Sequence, residues 1–183
     1  MSLGLTVLIG ALGVVVAAVL ILSAIGLRNS LVRQRNDLGR AWLSLDQLLK
    51  QRRDELPRLI GTCRSYLRDG PSLLDGVAAA RTSEQKAANP AEKARASREL
   101  QRALHNLFTT GDRDSALALD TSYRQVKKSI LGLDEKIASE QAHFNEQATA
   151  FNFRIGRFPG SLAARAAGLE PQALFEARDV DRI

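Results

Sequence analysis

Apolar residues after position 28 recur in steps of 3, 4 and 7. The first set is Leu31, Leu38, Trp42, Leu45, Leu49, Leu56, Leu59, Cys63 and Leu67, and the last is Leu119, Tyr123, Val126, Ile130, Leu133, Ile137, Phe144, Phe151, Ile155 and Phe158. This is the stripe of an amphipathic helix with one buried face. Each stripe has one polar member in its register, Arg52 in the first and Glu140 in the last. Stops are written in the local chemistry. Asp69-Gly70-Pro71 ends the first helix, with Gly suited to the left-handed C′ position and Pro to the start of the next. Thr110-Gly111-Asp112-Arg113-Asp114 opens the last one, and Phe158-Pro159-Gly160 closes it. These signals predict helices over about 29–69 and 114–157, with Pro57 a kink inside the first.

The middle is weaker in apolar residues: Leu73, Leu74 and Val77, a polar run over 81–98, then Leu100, Leu104, Leu107 and Phe108. Asn89-Pro90 interrupts it, because the residue before proline avoids the helical region. Two pieces, about 72–88 and 90–109, are expected to point the same way. The expected architecture is therefore all-α, an antiparallel up-down-up bundle of three rods about 60 Å long with a short helical tail. In that topology Arg52 and Glu140 lie at similar height beside the break. They either pair in one polar layer or reach outward from the seam.

Ahead of the bundle, residues 3–27 contain no charged residue, no His, Asn or Gln, and no Pro. A bilayer core of about 30 Å needs roughly 20 such residues in a helix, so this segment reads as a single transmembrane anchor. A cleaved signal peptide wants a basic leader and a shorter apolar stretch. Arg28, Arg33, Arg35 and Arg40 all follow the span, which predicts an outside N-terminus and a bundle in the cytoplasm. These arginines also suit anionic headgroups. Gly10, Gly13, Ala17 and Ala24 fall at small-residue spacings that permit close helix approach, a possible self-association face. The expected division is an anchor over 1–28, a bundle over 29–158 and a tail over 159–183. The tail either caps the bundle or docks elsewhere.

Specific residues carry a family resemblance: Asn29-Ser30-Leu31-Val32-Arg33, Ala41-Trp42-Leu43-Ser44-Leu45-Asp46, the run from Leu49 through Arg52-Arg53-Asp54-Glu55-Leu56-Pro57 to Ile60, and Ser65-Tyr66. It resumes at Asp134-Glu135-Lys136-Ile137, Phe144-Asn145, Phe151-Asn152, Phe158-Pro159 and Phe175-Glu176. In order and spacing the chain resembles the LemA family, bacterial membrane proteins with an N-terminal anchor and a helical bundle. The family pattern favours Tyr where Phe144 and Phe151 stand, and Tyr-Pro where Gly111-Asp112 stand. The resemblance implies an architecture and a bacterial inner (plasma) membrane location, and it carries over no catalytic residues.

Composition narrows the chemistry further. One Cys in 183 residues excludes a disulfide framework, and 5% aromatics with few β-branched residues argue against a sheet. The net charge of +6 is spread through acidic neighbours without aromatic stacking positions, so no nucleic-acid partner is expected. His105, His143 and Cys63 are too few and too far apart for a metal, and no phosphate-loop, zinc-protease or nucleophile-elbow motif occurs. Asp54-Glu55 and Asp134-Glu135 diverge on their helices. No catalytic residue, cofactor, metal or small-molecule substrate is expected. The expected role is a non-enzymatic adaptor or scaffold with the bilayer, unidentified proteins and its own copies as partners. The alternative is a signalling or envelope-stress component that transmits membrane state along the first helix.

Overall fold

The computed structural model describes residues 2–67 and 71–176. Among these it contains helices α1 (Ser2–Arg64), α2 (Pro71–Lys86), α3 (Pro90–Gly111), α4 (Ser115–Leu119), α5 (Thr121–Gly156) and α6 (Gly160–Ala166). No strand occurs among the described residues. The chain divides into two compact units, one of residues 1–39 with 147–172 and the other of residues 40–146 with 173–183.

The second unit is a bundle built from residues 40–64 of α1, from α2, α3 and α4, and from residues 121–146 of α5. Its passes alternate in direction, and polar and aromatic contacts fix the register. Trp42 packs on Phe144 and Arg52 binds Asp134, so ten residues forward on α1 are ten residues back on α5. The same antiparallel register puts Glu55 by Ser129 and Arg58 by Gln125. Along α3, Lys93 meets Asp46 and Ser97 meets Arg52, so α3 runs with α1. α2 lies side by side with α3 and reaches Arg52 and Arg53 through Glu84.

The expected break at Asn89-Pro90 is therefore a reversal, and the bundle has four passes where three were expected. Local chemistry explains it. Asn89 is extended (φ −122°, ψ 163°), its side chain accepts from the Glu92 N–H, and Glu92 in turn accepts from the Ala88 N–H. That reciprocal cap starts a new helix with Pro90 at its first turn, and nothing obliges the new helix to continue the old axis. One extra reversal inverts α5 relative to the three-rod expectation. It also inverts the order of the histidines, which places exposed His143 next to Phe144 at the Trp42 end and exposed His105 toward the opposite end.

The bundle's apolar core is one cluster in which Leu56, Leu59 and Cys63 meet Leu74 and Val77, Leu100, Leu104 and Leu107, and Tyr123, Val126 and Ile130. The expected last helix begins late, because Asp114 caps the short α4 and Asp120 accepts from the Tyr123 N–H to start α5. Leu119, between them, is exposed. The expected stop of the first helix at Asp69-Gly70 lies outside the described residues, and α1 itself ends at Arg64 after running unbroken through Pro57.

In the first unit, residues 12–26 of α1 are exposed, Gly13, Ala17 and Ala24 among them, and Gly10 is exposed as well. Arg28, Arg33 and Arg35 are exposed in this unit and Arg40 in the other. The unit buries Leu31, Leu38, Phe151, Ile155, Ala164 and Leu169. Gly160 allows a tight return after α5: a Cβ there would stand 2.1 Å from the Arg154 carbonyl oxygen. Asn152 then holds the tail by accepting from the Gln172 N–H and donating to its carbonyl, both at 2.8 Å.

Candidate functional site

Most of the bundle's seam is apolar, and Arg52 interrupts it at the level where α1, α2, α3 and α5 all contribute. The Arg52 side chain is 1% exposed. Nη1 donates to Asp134 at 2.7 Å, and Nη2 donates to Glu84 at 2.6 Å and to Ser97 Oγ at 2.7 Å. Glu84 is wholly buried, and its second oxygen accepts from Arg53 Nη1 at 3.2 Å. Arg81 Nε donates to the Arg53 carbonyl. Two guanidinium and two carboxylate groups thus balance in charge, and the planar fork of Arg52 spans three partner helices at once. Arg52 Nε is buried without a partner.

The expected pair of Arg52 with Glu140 does not form. Arg52 occupies the predicted polar layer, but its partners come from α2, α3 and the Asp134 turn of α5. Glu140 is half-buried and lies six residues beyond Asp134, about 9 Å along the helix axis. The reversed direction of α5 is the cause. Sequence reasoning passed over Glu84 and Ser97 because they sit inside the polar run 81–98, where nothing marks two positions as buried. A signal was available in the helical spacing of Val77, Ala80 and Glu84, which puts Glu84 on the buried stripe.

Beside this layer a cleft of about 400 Å³ is lined by Arg52, Ser97, Arg98, Asp134, Gln141 and the tail residues Phe175 and Glu176. At one end stands an aromatic cluster: Trp42 lies 5.4 Å from Phe144 and 6.2 Å from Phe175, ring centre to ring centre, with Lys93 Nζ 5.5 Å over the indole. Opposite-signed groups and amides make up much of the cleft lining.

Burial, reinforced by the charge of Asp120, pushes the Cys63 thiol up to about 11, so at neutral pH it is protonated and a poor nucleophile. Burial also raises the Tyr123 phenol, with the Asp112 carboxylate adding to the effect. Asp120 is held below the usual carboxylate range, first by the Tyr123 N–H and then by the Tyr66 hydroxyl, which donates to it at 3.0 Å. Among the described residues no group of three or more His, Cys, Asp or Glu is arranged to hold a metal ion.

One described helix, α1, is long and apolar enough to cross a membrane. None of its apolar stretch is buried. No curated protein matches the chain. The family model described as "LemA family" matches residues 41–182, most of the chain, including the Arg52 layer and the Phe175 cluster. The chain belongs to the LemA family.

Proposed function

We propose that this protein is a non-enzymatic, membrane-anchored adaptor or scaffold of the bacterial inner membrane, with its bundle in the cytoplasm. The observation that carries the reading is the contrast in α1: residues 12–26 expose every side chain while the positions from Leu45 to Cys63 feed a packed core. These residues belong to the uncharged run 3–27, which is long enough to span a bilayer core, and an exposed apolar helix is stable where lipid covers it. Arg28, Arg33, Arg35 and Arg40 follow the apolar stretch, and the bias of Arg toward the cytoplasmic side supports the orientation. Gly10, Gly13, Ala17 and Ala24 supply a small-residue stripe on the same stretch that favours homo-oligomers. A protonated Cys63 and two separated, exposed histidines support a role in binding over catalysis.

The test of orientation uses a Cys63→Ser background carrying Ser122→Cys at an exposed site of α5. A membrane-impermeant maleimide is expected to label it only after lysis, and labelling of intact cells reverses the orientation. The adaptor role is tested by photocrosslinking in cells from exposed positions of the bundle such as Leu131. Discrete crosslinked neighbours are expected, and their absence from every exposed face sinks the adaptor reading.

A further inference from the structure

The Trp42 cluster is a site that the chain fills with its own tail. Asn145 Oδ1 accepts from the Phe175 N–H at 2.8 Å, and its Nδ2 donates to the Phe175 carbonyl at 3.2 Å. This two-point pairing reads only backbone, as strand addition does at a sheet edge, so it demands an extended segment and no particular side chain. Selectivity comes from the neighbours. Phe175 is 2% exposed against Trp42, whereas Ala173 and Glu176 on either side of the Leu174-Phe175 pair are exposed. Glu176 and Arg98 both line the adjoining cleft. Within this unit the Phe175 ring and the Asn145 amide hold the described part of the tail.

We propose that Trp42, Phe144, Asn145 and the adjoining cleft form an acceptor for an extended peptide segment carrying an aromatic residue followed by an acidic one, with residues 173–176 as its displaceable occupant in cis. The proposal rests on the adaptor reading and gives the chemistry of the partner. The tethered tail competes at an effective concentration on the order of millimolar, so a segment in trans binds well only when the cis occupant is weakened or the partner is multivalent.

Trp42 is the chain's one tryptophan, so its indole reports on this site without labelling. The probe is an acetylated, amidated peptide with the sequence of residues 170–176, added to the full-length protein in detergent. On Phe175→Ala the peptide is expected to shift the Trp42 indole resonance saturably, about tenfold tighter than on the unaltered chain. The shift is expected to vanish when Asn145→Ala is added or when the peptide carries Ala in place of its Phe. Absence of a saturable shift on a folded Phe175→Ala chain overturns the proposal. Should that variant not fold, hydrogen exchange at the Phe175 amide of the unaltered chain decides: the peptide must accelerate it, and an unchanged rate overturns the proposal. A Trp42 shift that depends on protein concentration, without peptide, would make the occupant a second copy's tail and overturn the assignment to a partner. The crosslinking test above is independent, so the adaptor reading can fail or survive separately.

Discussion

Two levels of the same bundle, formed by the same helices, are built on opposite chemistry. Around Leu59, Leu104 and Val126 the seam is wholly apolar, and around Arg52 it is a buried ion network with Glu84, Asp134 and Ser97. Apolar contact is non-directional, so the first level favours compactness and tolerates a shifted alignment. At the second level a slip of one turn would strand Glu84, a buried carboxylate, without its guanidinium partner. The difference teaches a division of labour: apolar layers supply cohesion and the polar layer selects one register among several compact ones.

Breaking the polar level should have the largest effect. Arg52→Met leaves Glu84 buried with only Arg53 near it and should cost about 3–5 kcal/mol, seen as a lowered urea midpoint. Leu104→Ala, in the apolar level, should cost about 2–5 kcal/mol, depending on how well the cavity collapses. The two should part in another respect: the Leu104 variant keeps the dispersed amide spectrum of a unique fold, and the Arg52 variant loses dispersion at Ser97 and Asp134 first. Equal loss at both levels would deny the polar layer its role in register.

A pair of double-mutant cycles sharpens the same comparison. Arg52→Met with Glu84→Leu should show coupling of about 0.5–3 kcal/mol, whereas Arg52→Met with Glu140→Leu should be additive within about 0.5 kcal/mol. Strong coupling to Glu140 would contradict the antiparallel register of α1 and α5. The smallest effect is the acid response of Asp120. Its folded pKa is depressed, so its contribution is full above the unfolded value and is lost as pH falls through the folded one. Asp120→Asn should lower the neutral-pH midpoint slightly and leave the midpoint below the folded pKa nearly unchanged, which flattens the acid limb of the unfolding curve.

The hydrophobic period made α1, α3 and α5 legible because each carries a long stripe, and Asn89-Pro90 announced a boundary through proline sterics alone. Direction was not legible. A proline-preceded cap says that one helix ends and another begins; the angle between them is set by which apolar faces then meet. With Val77 and Ala80 facing the same core as Leu100 and Leu104, folding back buries both faces, and continuing straight would leave α2's stripe without a partner. That choice inverted α5 and moved Arg52's partner from Glu140 to Asp134. The tail site was hidden for a similar reason. Phe144-Asn145 and Phe175 each stand out in the sequence, but an Asn side chain that grips backbone leaves no pattern in the segment it grips.

By itself the sequence determined the long helices, the apolar N-terminal stretch, the seam position of Arg52 and the absence of familiar catalytic motifs, because each of these is encoded by neighbours within a few residues. Tertiary structure alone decided the number of passes, the partners of Arg52 and the seat of Phe175. Those outcomes depend on contacts between positions 30 to 133 residues apart, where packing of whole faces, and no local preference, selects among alternatives of similar local energy.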